Sequence, residues 1–293
     1  MATKIIILLG PTGVGKTALG VAMARYLNSP VINCDSRQIY KELNIGVARP
    51  SPEELAAVTH YFIASHSIHQ IYSAGDYERE AWDLVMKLAP AHEYLLMVGG
   101  SGLYIDAFCD GMDDLPESDP QLRKQLNNTL LEPGGIEQLR AQLKLLDSIA
   151  YARTDLSNSR RIIRALEVCL LTGRPYSSFL NNTSKKRPFE IEKIKLERPR
   201  GELYERIDKR VDCMMEQGLL DEARGLYPYK ELSALRTVGY RELFDHFEGK
   251  YSLEQAVSLI RRNTRRYAKR QMTYWRDIPK TEDHPLLRRV PFP

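Results

Sequence analysis

The sequence predicts an α/β fold: a P-loop-type parallel sheet flanked by helices, with an inserted all-helical subdomain. Three observations point there. The apolar run "KIIILLG" at 4–10 leads into the glycine-rich "GPTGVGKT" at 10–17 and then into helical spacing. Short β-branched runs then alternate with helical stretches, the pattern of a parallel sheet covered on both faces. Between residues 119 and 180 only helical patterns remain.

"KIIILLG" reads as a buried strand ending in glycine. In "KTALGVAMARYL" the spacing of Leu19, Ala22, Met23 and Leu27 predicts the following helix. "PVINCDS" is a second strand with Asp35 just past its end. "SAGDYEREAWDLVMKLA" is a helix, and "YLLMVGG" a further buried strand ending in glycines. The acidic, breaker-rich "GMDDLPESDP" then marks a change of character. Helical patterns interrupted by "EPGG" and "TGRP" follow, and after "NNTSKKRP" the alternating "FEIEKIKLE" suits a strand rejoining the sheet. The domains are therefore 1–112 with 188–293, a catalytic core ending in basic helices, and 113–187, the helical insertion.

With 293 residues, 43% hydrophobic and 27% charged, the chain suits a globular core with one inserted domain. The N-terminal apolar run is too short for a signal peptide, and no stretch approaches the roughly 20 apolar residues of a membrane span. The four cysteines (Cys34, Cys109, Cys169, Cys213) are widely spaced and form no C-x-x-C pair. They fit buried thiols in a reducing compartment rather than disulfides or a zinc site. The expectation is a cytoplasmic monomer.

The loop pattern is specific because a strand precedes it and a helix follows. Gly10, Gly13 and Gly15, with Pro11, Thr12 and Val14 between them, let backbone N–H groups turn toward an anion at a helix N-terminus. Lys16 adds a full charge, and the Thr17 hydroxyl can hold Mg²⁺. A nucleotide hydrolase also needs an acid at the end of a second buried strand. Here that strand ends in Gly99-Gly100-Ser101-Gly102. The only strand-end carboxylate is Asp35, with Ser36 and Gln38 beside it. In open α/β sheets ligands bind beyond the carboxyl ends of the strands, so Asp35 and Ser101 fall on the phosphate-loop edge. There Asp35 can take a proton from an attacking group, against the plainer reading of a turn-capping Asp.

Two helices concentrate positive charge on a chain whose net charge is only +4. In "SRRIIRALEVCLL" an apolar arc of Ile162, Ile163, Leu166, Cys169 and Leu170 opposes Arg160, Arg161 and Arg164. In "EQAVSLIRRNTRRYAKRQMTYWRD" an arc of Ala256, Val257, Ile260, Tyr267, Ala268, Tyr274 and Trp275 opposes Arg262, Arg265, Arg266, Lys269 and Arg270. Faces of one sign suit a phosphate backbone.

Taken together, "GPTGVGKT", "NCDSRQIYKELNIGVARPS", "YSAGDYEREA", "VGGSGLYI", "SRRIIRALEV", "RIDKRVDCMMEQGLLDEA", "LRTVGYRE" and "TRRYAKRQMTYWRD" run nearly the length of the chain. In that order they resemble the bacterial-type tRNA dimethylallyltransferase (tRNA isopentenyltransferase) family. The resemblance implies transfer of a dimethylallyl group from dimethylallyl diphosphate to N6 of the adenine at position 37 of tRNA, beside the anticodon. It implies that residues 10–17 and Arg210 hold the diphosphate, that Asp35 is the general base, and that Ser101 lies in the catalytic pocket. It implies contacts to the anticodon stem-loop from Asp35, Ser36, Arg37, Gln38 and Ser101. Further contacts would come from Arg123, Arg160, Arg161 and Arg164, from Thr237, Val238, Gly239, Tyr240 and Arg241, and from Arg266 and Arg270. Where this chain has Ser101 and Arg160, the family commonly has Thr and Gln. Alternative readings are prenylation of free adenine nucleotides, a P-loop small-molecule kinase with Asp35 as base, and an RNA-binding protein with a relic loop.

Overall fold

Residues Lys4–Leu9 form β1 because five successive apolar side chains, Ile5 to Leu9, are fully buried on both sides of the sheet. The computed structural model describes residues 3–180, 185–279, 281 and 284–290. Helix α1 (Lys16–Tyr26) follows, then β2 (Val31–Asn33), α2 (Pro52–Ala57), β3 (His60–Tyr61), α3 (Ala74–Leu88), β4 (Tyr94–Gly99) and α4 (Gly102–Asp110). Helices α5 (Pro120–Leu131), α6 (Gly135–Leu146), α7 (Ser148–Arg153) and α8 (Ser159–Thr172) come next. The chain ends with β5 (Glu190–Lys195), α9 (Arg200–Glu216), α10 (Leu219–Leu226), α11 (Tyr240–Phe247), α12 (Leu253–Tyr274) and α13 (Pro285–Arg289).

The sheet order is β3-β2-β4-β1-β5, with every pair parallel. Leu9 lies opposite both Gly99 and Lys195, and Asn33 opposite Val98. All the carboxyl ends that matter therefore share one edge. β2 joins β3 through only two residues, too short a run to announce itself in the sequence.

Two compact units emerge: residues to Asp110 with those from Lys186, and Gly111–Lys185. The expected boundaries lay two residues later at each end. Arg187 belongs with the first unit because it pairs with Glu78 at 2.7 Å, stacks 4.4 Å from the Trp82 ring and donates to the Ala107 carbonyl. The first four residues of "NNTSKKRP" lie outside the described residues.

In the sheet unit, Ile6, Leu8, Leu19, Met23, Leu96 and Val98 form a core with Leu203 and Ile207 of α9. A second core joins Ile39, Tyr40 and Leu43, just beyond Asp35, to Val211, Leu219, Leu235, Tyr240, Leu243 and Ile260. The chain after Asp35 is thus clamped by the C-terminal helices. The Gly111–Lys185 unit is helical, with its own core of Leu126, Leu139, Leu143, Ile162, Ile163 and Leu166.

Cys34, Cys109 and Cys169 are buried, but Cys213 is exposed on α9, contrary to expectation, because Val211 and Ile207 occupy that helix's buried stripe. Tyr274, expected on the inner face of α12, is half-exposed at the helix end. Among the described residues no helix is long and apolar enough to cross a membrane.

Candidate active site

The phosphate loop turns where glycine alone fits. Gly13 and Gly15 have φ of +85° and +111°. A Cβ on Gly10 would stand 2.8 Å from the Leu196 carbonyl oxygen. Helix α1 begins at Lys16, so the N–H groups of its first turn point back into the loop without intrahelical partners. Lys16 Nζ donates to the carbonyls of Gly10 and Pro11 at 2.8 and 2.9 Å. Burial lowers its pKa to about 8, with Asp35 opposing that shift and Arg210 adding to it.

Three arginines surround the loop. Arg206 Nε donates to the Gly13 carbonyl at 2.9 Å and Arg198 Nε to the Val14 carbonyl at 2.8 Å. Their Nη2 atoms lie 3.9 and 3.8 Å from the place a Cβ on Gly15 would take, at the mouth of the loop. Burial, and then the charge of Arg206, hold Arg210 below the ordinary guanidinium pKa. Among the described residues Arg210 forms no ion pair within 4 Å, and the more distant charge of Glu54 opposes the shift. Arg198 and Arg206 were not anticipated from sequence. The signal was there in Arg206 and Arg210, four apart and so on one face of α9.

Asp35 begins the turn after β2. Its Oδ1 accepts the N–H groups of Arg37 and Gln38 at 2.8 and 3.4 Å, while the Asn33 amide holds the Asp35 backbone. The turn-capping role is therefore real, but it uses one oxygen. Oδ2 has no hydrogen-bond partner among the described residues. Ser101, at the end of β4, accepts the Ser36 N–H at 2.9 Å and donates to the Ser36 hydroxyl at 3.1 Å; its own N–H donates to the Cys34 carbonyl. The two strand ends are thus stitched into one surface beside the loop.

Packing from two sides explains the glycines where a metal-binding acid was sought: Cys34 crowds Gly99, and helix α12 crowds Gly100 and Gly102. A Cβ on Gly99 would stand 2.4 Å from the Cys34 carbonyl carbon, one on Gly100 2.5 Å from Gln271 Nε2, and one on Gly102 2.4 Å from the Tyr274 ring. Backbone blocks a side chain at Gly99, while one at Gly100 or Gly102 would have to push aside Gln271 or Tyr274. Gln271 accepts the Thr12 N–H at 2.9 Å and donates to the Gly100 carbonyl at 2.8 Å. Tyr267, one turn earlier, lies near Asp35; burial and then the charge of Asp35 raise its pKa to about 12.

The anticipated RNA contacts divide. On α12, Arg262, Arg266, Lys269 and Arg270 are exposed. Arg265 instead pairs with Asp208 at 2.6 Å. Arg160 and Arg161 are exposed in the first turn of α8. Cations at a helix N-terminus oppose its dipole, so the helix gains no stability from them there. Arg123 and Arg164 both bind the fully buried Glu167 at 2.7 Å, so their charge is partly compensated within the protein. The Tyr240 ring is fully buried, and its hydroxyl donates to Glu222 at 2.6 Å, because Leu243 and Phe244 put it on the apolar stripe of α11. Gly239 is buried with its N–H on Glu242, while Thr237 and Val238 are half-buried and Arg241 is exposed. Arg37 donates to the carbonyls of Ser233 and Ala234, and Gln38 to those of Val47 and Ala48. Both side chains therefore brace neighbouring loops.

Among the described residues no three His, Cys, Asp or Glu side chains cluster as a metal site. A Mg²⁺ fits here only in the way it accompanies phosphates elsewhere, on a hydroxyl and ligand oxygens. Thr17, half-buried at the start of α1, offers that hydroxyl.

The IPP transferase family profile matches residues 38–278. A tRNA dimethylallyltransferase of Christiangramia forsetii is 49% identical over 96% of this chain and 92% of its own length. A second relative, tRNA dimethylallyltransferase 2 of Parabacteroides distasonis, is 46% identical over 96% of this chain and 94% of its own. Among solved structures, a tRNA isopentenylpyrophosphate transferase of Bacillus halodurans superposes with a TM-score of 0.67 at 35% identity, covering 94% of this chain and 87% of that one. A eukaryotic dimethylallyltransferase described as acting on tRNA gives a TM-score of 0.78 at 26% identity, covering 94% and 70%. The chain belongs to the IPP transferase family.

Proposed function

We propose that the protein transfers a dimethylallyl group from dimethylallyl diphosphate to N6 of the adenosine at position 37 of tRNA, releasing diphosphate. The observation that carries this is the pairing of a cationic anion-binding loop with Asp35 on the same strand edge, close enough for the two charges of Lys16 and Asp35 to interact.

The exocyclic amine of adenine is a poor nucleophile, since its lone pair is delocalised into the ring. An allylic diphosphate compensates by ionising in part before attack. The residues then have two tasks. Loop N–H groups, Lys16, Arg210 and the outer pair Arg198 and Arg206 stabilise the departing diphosphate. Asp35, through Oδ2, takes the proton from N6 as the new C–N bond forms. Mg²⁺ held by Thr17 and diphosphate oxygens would neutralise charge on the leaving group. The adenine must leave its stack to reach Asp35, which suits a nucleotide in a loop. The exposed arginines of α12 and of α8 favour a polynucleotide acceptor over a free nucleotide. A kinase reading lacks its second acid, because β4 ends in glycines packed against Cys34 and, one residue on, Gln271.

The test is incubation with labelled dimethylallyl diphosphate, Mg²⁺ and unmodified tRNA. Label is expected in the RNA; equal or faster labelling of AMP, ADP or ATP overturns the reading.

Lys16 gives a pH signature. Its folded pKa lies below the ordinary lysine value, so above about pH 8 the free protein has lost that proton. A bound diphosphate favours the charged form and takes the proton back. Pyrophosphate affinity should therefore fall by up to about tenfold per pH unit above that point. Calorimetry between about pH 7 and 9 checks this, and Lys16→Met should flatten the profile. A flat wild-type profile contradicts it.

A further inference from the structure

We propose that Gln271 is the positioning residue that fixes the phosphate loop against the Gly100 turn, so that donor binding depends on helix α12. The proposal rests on the reading of the loop as a diphosphate site.

Gln271 is buried, with 6% of its surface exposed, on the inner stripe of an arginine-rich helix. Its carboxamide accepts from Thr12 N–H and donates to the Gly100 carbonyl at once. An amide does both; a carboxylate or an apolar side chain of similar length cannot. Both backbone groups belong to the site. Thr12 lies within the loop, and Gly100 precedes Ser101. Lys16 Nζ is 3.7 Å from the place a Cβ on Gly100 would take, so the amide and the loop lysine flank the same turn. With Tyr274 packed against Gly102, α12 meets this turn at two points, Gly100 and Gly102. Its outer face presents Arg262, Arg266, Lys269 and Arg270. One helix thus braces the diphosphate grip on one side and offers charge to a polyanion on the other.

The full-length protein tests this. Gln271→Met keeps the side-chain length and removes both hydrogen bonds. Inorganic pyrophosphate should bind about tenfold more weakly by calorimetry, since a buried bridge is lost and a misplaced loop holds its ligand poorly. KM for the prenyl donor should rise in parallel, with KM for tRNA within about twofold. Gly100→Ala leaves Gln271 in place but sets a methyl group against its amide, and should give the same donor-side defect. Pyrophosphate binding within about twofold of wild type in both variants overturns the proposal, as does equal weakening of pyrophosphate and tRNA together with a lowered Tm. A wild-type protein that does not bind pyrophosphate overturns the diphosphate reading itself, and the proposal with it.

Discussion

Replacing Asp35 by asparagine should lower the rate of prenyl transfer by about 100- to 10,000-fold, the range lost with a positioned general base. Pyrophosphate and tRNA binding should stay within about twofold of wild type. The choice of asparagine follows from the turn. Its side-chain oxygen can still accept the N–H groups of Arg37 and Gln38, as Asp35 Oδ1 does. Only the proton acceptor at Oδ2 is lost. A thousandfold drop corresponds to about 4 kcal/mol in the barrier. Asp35→Ala removes both roles and should add a loss of tRNA affinity as the 35–38 turn loosens. Single-turnover rates with saturating donor and tRNA separate the two variants. Transfer by Asp35→Asn within about fivefold of wild type would remove Asp35 as base.

Glu167→Ala should destabilise the helical unit by about 1–3 kcal/mol, the cost of losing a buried acceptor whose two arginine partners are part-exposed. Glu167 is fully buried and accepts from Ser118, Arg123 and Arg164. Burial alone would raise its pKa, but the hydrogen bonds of Ser118 and Arg164 and the charge of Arg123 outweigh it and hold the carboxyl below its ordinary value. Removing it leaves two arginine cations without their acid, one of them with a buried Nε that already lacks a partner. Because the folded-state pKa is depressed, this stabilisation is present at neutral pH and lost as pH falls through the folded value. Hydrogen exchange on residues 120–172 reads the effect locally. Protection unchanged there would contradict it.

What the sequence made legible was whatever rests on local pattern. The apolar run at 4–9 and the glycine spacing at 10–15 define β1 and the loop without help from the rest of the chain. The end of β2 at Asn33 put Asp35 on the right edge. What escaped depends on distant packing. "GGSG" read as a missing acid, whereas Gly99 admits the Cys34 backbone and Gly100 and Gly102 admit a helix from more than 160 residues further along the chain. Gln271 stood within a motif singled out from the sequence, yet its role needs Thr12 and Gly100 placed around it. Two internal contacts had visible signals. Glu167 sits in an apolar run three residues after Arg164, the spacing of a helical ion pair. Tyr240 precedes Leu243 and Phe244 at helical spacing, which marks a buried face.

The central claim is that this loop grips a leaving diphosphate while Asp35 deprotonates an adenine amine. Nucleoside analysis of tRNA after reaction with dimethylallyl diphosphate tests it most directly, because it reports donor, acceptor and position together. The account predicts one N6-dimethylallyladenosine per modified tRNA, located beside the anticodon, with diphosphate released in equal amount. Unmodified adenosine at that position after complete incubation, or a phosphoryl group in place of the prenyl group, would contradict it.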